Sequence, residues 1–302
     1  MSSIISVRDL TKSFGEINAV DHLTFTVKEK EVYGFLGQNG AGKSTTIRML
    51  LTLIKPSEGT IDIFGLSLKK HRNEILRRIG GIIEKPDMYK YLTAYENLSL
   101  FARVSGIKIK HQQLMDQLDQ VGLAQRATSK VNTYSQGMKQ RLGIAVSLVN
   151  NPDLVILDEP LNGLDPQGMA DIRNLIIHLS KDLGKTIFIS SHLLSEMELV
   201  ADSLLIIDKG KKIVEGKMNE MLNPATTNVE VETASAEMLY QKLMDTTWKE
   251  AFRSLEGKKI LLHMKREEVP VFIKELTLLN VPVYSIRPKH SLEDYFLSLT
   301  VR

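Results

Sequence analysis

Gly37-Gln38-Asn39-Gly40-Ala41-Gly42-Lys43-Ser44 constrains the fold more than any other stretch of this 302-residue chain. It fits G-x-x-x-x-G-K-[ST], a loop that wraps phosphate groups. The pattern has meaning only between a strand and a helix, and the flanks supply both. Glu31-Val32-Tyr33-Gly34-Phe35-Leu36 suits a buried strand, and Thr45-Thr46-Ile47-Arg48-Met49-Leu50-Leu51 reads as a helix. Glycines let the backbone approach an anion without a Cβ in the way, and successive N–H groups turn inward. The helix start adds the positive end of its dipole. In such a loop Lys43 reaches the outer phosphates and the Ser44 hydroxyl ligates Mg²⁺. A bound nucleotide is therefore expected.

The pattern of the surrounding chain agrees with an α/β fold. Residues 4–7 and 23–27 read as strands of an antiparallel flank. The short apolar runs at 154–157, 186–189 and 204–207 suit parallel strands buried on both faces, and 168–183 has helical spacing. Residues 1–222 are thus read as one nucleotide-binding domain, and the turn-rich segment 223–228 as a linker. Residues 229–302 read as a small α+β domain of ferredoxin-like type, with strands at 229–231, 259–264 and 281–286 and helices at 236–244, 269–279 and 292–299. That part carries no recognisable chemistry and is read as a dimer-stabilising or regulatory appendage.

Composition removes several classes. A formal net charge of +3, without a dense basic block, gives no footing for nucleic acid. The chain has no cysteine, which excludes a disulfide framework and fits a reducing compartment. No signal peptide is read at the N-terminus, and no run approaches 18 uncharged apolar residues. A cytoplasmic protein is expected.

Further motifs specify the kind of nucleotide machine. The apolar strand 154–157 ends in Asp158-Glu159. A carboxylate at a strand's carboxyl end can hold Mg²⁺ through water, which suits Asp158, and the next one, Glu159, is placed to polarise an attacking water. Ser135 caps the start of a helix through residues 136–148, where a serine, Gly137 and free N–H groups form an anion site. His192 follows the apolar strand 186–189 and suits either a structural place or a γ-phosphate contact. Phe14 suits either the core or a stacking face for adenine.

In this order the residues resemble the ATP-binding subunits of ABC transporters, over about residues 1–222. The resemblance assigns the phosphate loop to residues 37–45 (Gly37, Gln38, Asn39, Gly40, Ala41, Gly42, Lys43, Ser44 and Thr45), and the signature segment to 135–139. It assigns the D-loop to 162–165, the switch histidine to His192 and adenine stacking to Phe14. It implies an α/β ATPase domain with a parallel core sheet, an antiparallel flank and a helical signature region. It also implies ATP and Mg²⁺ as cofactors and Glu159 as catalytic base. Two such subunits pair head to tail, so Ser135 and Gly137 of one complete the site of the other. Separate transmembrane permease subunits then hold the pair at the cytoplasmic face of the membrane, with residues 84–98, including Tyr89 and Tyr91, as the coupling surface.

Two departures stand out. Gln136 and Met138 replace the usual glycine and glutamine of the signature, and Glu84 stands where the coupling loop normally carries glutamine. A carboxylate there is able to ligate Mg²⁺ or water but brings a negative charge near ATP. The glutamate and the ending at 291–300 are similar to exporters acting against lantibiotics and bacitracin-type peptides. The sequence leaves a second reading open: a soluble or regulatory ABC-type ATPase not coupled to transport. The absence of an Asn-Lys-x-Asp motif excludes a GTPase of the usual kind.

Overall fold

The computed structural model describes residues 2–84, 87–222 and 226–289. It divides into two units, Met1–Met218 and Asn219–Arg302. The chain enters as a hairpin of β1 (Ser3–Phe14) and β2 (Ile17–Lys28), then runs through β3 (Val32–Leu36) into α1 (Lys43–Leu50). Next come β4 (Glu58–Ile63), β5 (Leu66–Ser67), α2 (Arg72–Leu76) and β6 (Ile79–Ile82). A helical stretch holds α3 (Ala94–Val104), α4 (His111–Gln120) and α5 (Gln136–Ser147). Then follow β7 (Leu154–Leu157), α6 (Pro166–Lys181), β8 (Thr186–Ser191), α7 (Leu194–Glu198), β9 (Ser203–Asp208), β10 (Lys211–Lys217) and α8 (Met218–Leu222). No helix among the described residues is long and apolar enough to cross a membrane.

Two sheets build the first unit. One is antiparallel in the order β2-β1-β4-β5; the other runs β10-β9-β3-β8-β7-β6, parallel except for its β10 edge. Every residue of β3, β7 and β8 is buried, which is why these strands read as continuous apolar runs instead of alternating ones. Phe25 of the antiparallel sheet meets Tyr33, Phe35 and Phe188 of the parallel one with ring centroids 6.0–6.1 Å apart. Such ring pairs add about 0.5–1.5 kcal/mol each beyond their buried area. The antiparallel flank, the parallel core and the helical region are those the sequence leads one to expect.

Strand β6 carries no sequence signal, because Ile79-Gly80-Gly81-Ile82 looks like a turn. The reason is steric. A Cβ on Gly80 would lie 2.0 Å from the Ser147 carbonyl oxygen, so only glycine lets this strand pass the end of α5. Helix α1 starts at Lys43, two residues before the stretch read as helical.

The second unit comprises β11 (Thr226–Thr233), α9 (Ala236–Met244), β12 (Phe252–Glu256), β13 (Lys259–Lys265), α10 (Val269–Leu278) and β14 (Val283–Lys289). Its antiparallel sheet has the order β12-β13-β11-β14, and this βαββαβ arrangement is the ferredoxin-like one. Val229 and Val231 of β11 and Ile260 and Leu262 of β13 pair in register and pack on Leu239, Leu243, Phe272 and Leu276 from the helices. Thr226 already pairs with Lys265, so the last residues of the 223–228 segment belong to the sheet. Edge strand β12 has no fully buried residue and left no pattern to read. The helix expected at 292–299 lies outside the described residues.

Candidate nucleotide site

Three neighbouring parallel strands deliver the site. The glycine loop follows β3, His192 follows β8, and Asp158-Glu159 follows β7; in the sheet these strands lie in the order β3-β8-β7. Residues distant in sequence therefore meet at the carboxyl edge, where ligands of open α/β sheets gather.

The loop is built for a close approach of backbone to ligand. Gly40 and Gly42 have φ of +83° and +105°, and a Cβ on Gly42 would strike the Ala19 carbonyl oxygen at 2.4 Å. Gly42 caps α1, and the Thr46 hydroxyl donates back to the Gly42 carbonyl at 3.0 Å. Gln38, Asn39 and Gly40 form the exposed crest, Gly37 and Ala41 are buried, and Ser44 and Thr45 are half-buried. The Lys43 side chain, only 7% exposed, folds over its own loop. Its Nζ donates to the carbonyls of Gly37 at 2.7 Å and Gln38 at 3.3 Å.

Glu159 ties the strands together. Its Oε1 lies 3.1 Å from Lys43 Nζ, and its Oε2 lies 2.8 Å from His192 Nδ1. Oε1 is buried and accepts no hydrogen bond, so the lysine contact is one of charge alone. The backbone of Glu159 is left-handed, φ +51°, a placement that costs about 1–3 kcal/mol. Asp158 is 2% exposed and accepts a 2.5 Å hydrogen bond from Ser190 Oγ. The same Oγ accepts from the Glu159 N–H at 2.9 Å. One serine thus holds the Asp158 carboxylate and the Glu159 backbone, a role not evident from the sequence although Ser190 stands two residues before His192.

The structure brings Lys43, Glu159 and His192 into direct contact. Ser135 lies apart from them at the start of α5, accepting from the Met138 N–H at 3.2 Å as the expected N-cap. Gln136 reaches back to donate to the Asn162 carbonyl at 3.3 Å. Phe14 is 54% exposed, which removes the core alternative, and Lys12 Nζ lies 5.0 Å from its ring centroid. Glu84 sits beyond β6 and pairs with Arg48 of α1. Tyr89 and Tyr91 are exposed at 57% and 83%. The loop before α3 is pinned from inside by Asn97, buried, whose side chain accepts from the Tyr89 N–H and donates to the carbonyls of Tyr89 and Thr93. Thr93 and Glu96 close a capping box at the start of α3. The Thr93-x-x-Glu96 spacing is a signal that reading of the sequence could have used.

The residues fit nucleotide and metal on their own chemistry. The loop takes a turn that a Cβ at Gly42 would break by striking the Ala19 carbonyl, and Lys43 places a cation beside it. Ser44 and Asp158 are hard oxygen donors of the kind that hold Mg²⁺ when phosphates and water supply the remaining ligands. Among the described residues no cluster of three or more His, Cys, Asp or Glu side chains forms a metal site from protein alone.

A glycine loop opening a helix, with paired acids on a nearby strand of a parallel sheet, defines a phosphate-loop nucleotide-binding protein. Comparison with known proteins narrows the class. The family model described as ABC transporter matches residues 20–162. The chain is 53% identical over 215 residues to the bacitracin transport ATP-binding protein BcrA of Bacillus licheniformis, covering 71% of this chain and 70% of that one. It is 34% identical over 300 residues to the BcrA of Enterococcus faecalis, covering 99% and 97%. A dimeric ATP-binding cassette in a post-hydrolysis state, bound to ADP and Pi, aligns at a TM-score of 0.63 and 26% identity, over 71% of this chain and 98% of that chain. The chain belongs to the ABC transporter family, as an ATP-binding cassette subunit. It is an ATPase whose hydrolysis drives transport, and these relatives give no support to the soluble alternative.

Proposed function

We propose that this ATPase powers export of a peptide antibiotic of the bacitracin or lantibiotic kind, working as a pair of identical subunits beneath separate membrane permeases on the cytoplasmic face. The observation that carries the mechanism is the Glu159 carboxylate set between Lys43 at 3.1 Å and His192 at 2.8 Å. Names of relatives support the cargo, since bacitracin transport is stated for the BcrA proteins.

The residues divide the work. Lys43 leaves its loop carbonyls to hold the outer phosphates, and the N–H groups of residues 37–45 line the remainder. Phe14 stacks on adenine. Ser44 and Asp158 would hold Mg²⁺, which would supply positive charge to offset that of the phosphates. Glu159 takes the proton of the attacking water, and His192 fixes the direction of its carboxylate through Oε2. Ser135 and Gly137, at the free start of α5, complete the site of the second copy. Closure of the pair moves the surface at 84–98, with Tyr89 and Tyr91, against the permeases.

Replacing Glu159 by Gln tests this reading, because it keeps the shape and removes the base. ATP hydrolysis should fall by about 10²–10⁴-fold, and size-exclusion chromatography with light scattering should show an ATP-dependent dimer. A Glu159→Gln protein that stays monomeric in ATP, or hydrolyses at the unaltered rate, overturns it.

A further inference from the structure

Glu84 raises an electrostatic problem that the fold itself answers. It lies two residues after Ile82, whose carbonyl accepts from the Asp158 N–H at 2.9 Å, so the loop carrying Glu84 emerges beside the strand that carries the site's acids. A third carboxylate entering there repels a nucleotide triphosphate. Arg48 lies four residues after Ser44 on α1, hence on the same helical face one turn along. Its guanidinium meets Glu84 Oε1 at 2.5 Å, while the Glu84 backbone takes a left-handed φ of +60°.

We propose that Arg48 is a positioning residue for Glu84: its guanidinium holds the coupling-loop carboxylate against α1 and offsets the charge that glutamate brings in place of glutamine. This rests on the nucleotide-site reading above. The pair joins the helix that begins at the phosphates to the loop that faces the permease, so a change at the phosphates is felt by the loop through one ion pair. A plain alternative exists, since a basic residue in the last turn of α1 also favours the helix dipole. That role is indifferent to what residue 84 carries.

The test is equilibrium binding of ATP to the full chain by calorimetry, once with Mg²⁺ and once with EDTA. The proteins are wild type, Arg48→Met, Arg48→Lys, Glu84→Gln and Arg48→Met/Glu84→Gln. Freed of Arg48, Glu84 repels the bare triphosphate and is drawn to the metal's water shell. The affinity ratio, Mg²⁺ over EDTA, should therefore rise about two- to fivefold in Arg48→Met, the range for an exposed ion pair. Arg48→Lys should restore the wild-type ratio, and Arg48→Met should leave it unchanged when residue 84 is Gln. An unaltered ratio in Arg48→Met, or the same rise in the Glu84→Gln background, overturns the proposal. Failure of the nucleotide-site reading looks different: Lys43→Ala would then bind ATP as tightly as wild type.

Discussion

The two units are both sheets covered by helices, yet among the described residues only one gathers chemistry. In the first, parallel strands β3, β8 and β7 all end at the same edge, and their next residues are Gly37, His192 and Asp158-Glu159. In the second, antiparallel strands send successive ends to opposite edges, and the polar side chains find partners across the sheet: Glu230 with Lys259 at 3.0 Å, Asn228 with His263 at 2.9 Å. Strand direction alone separates a fold that converges reactive ends from one that disperses them.

The contrast can be broken or sharpened by substitution. Phe272 is fully buried in the second unit and packs edge-on to Trp248 at 5.1 Å. Phe272→Ala should destabilise that unit by about 3–5 kcal/mol. Trp248 is the one tryptophan of the chain, so its fluorescence in urea reports this unit. The Trp248 midpoint should fall while ATP affinity holds; a parallel loss of ATP binding would mean the units are not separately cooperative.

Lys43→Ala should act in the opposite sense. Removing the charge-assisted contacts to phosphate should weaken ATP binding about 10- to 100-fold, with the Trp248 transition in urea unmoved. Retained ATP affinity would remove the chemical distinction between the units.

The smallest effect should come from the capping box of α3, within the first unit but outside the proposed nucleotide site. Hydrogen bonds donated by the Thr93 N–H and hydroxyl hold the Glu96 carboxyl below its ordinary range. A carboxylate depressed in the folded state stabilises fully above its unfolded value, and that contribution fades as pH falls through the lowered native one. The protection factors of the amides at the start of α3, corrected for the intrinsic pH dependence of exchange, should therefore fall on acidification in wild type and lose that dependence in Glu96→Gln. Identical pH profiles would show the box to be idle.

Much of this was legible without coordinates because the signals are local. The glycine loop, the apolar runs of β3, β7, β8 and β9, and the Ser135 cap each announce themselves within a few residues. Strand β6 was not legible, since Gly80 is required by the approach of Ser147 from elsewhere in the chain. Nor was β12, whose half-buried edge residues alternate too weakly. In the site, Asp158 and Glu159 were visible as acids, but Ser190 as their shared hydrogen-bond partner was not.

What the sequence determined by itself was chemistry held in short segments: a backbone free to curl round phosphate, acids at the end of an apolar strand, a serine at a helix start. What only the tertiary structure decided was pairing. Glu159 meets His192 because β7 and β8 lie side by side, while Lys43 and Arg48, carried on α1 after β3, reach Glu159 and Glu84 across the same carboxyl edge. Sheet order arises from packing among segments far apart in the chain. A charge read in sequence therefore declares what it is able to bind, and the fold alone chooses its partner.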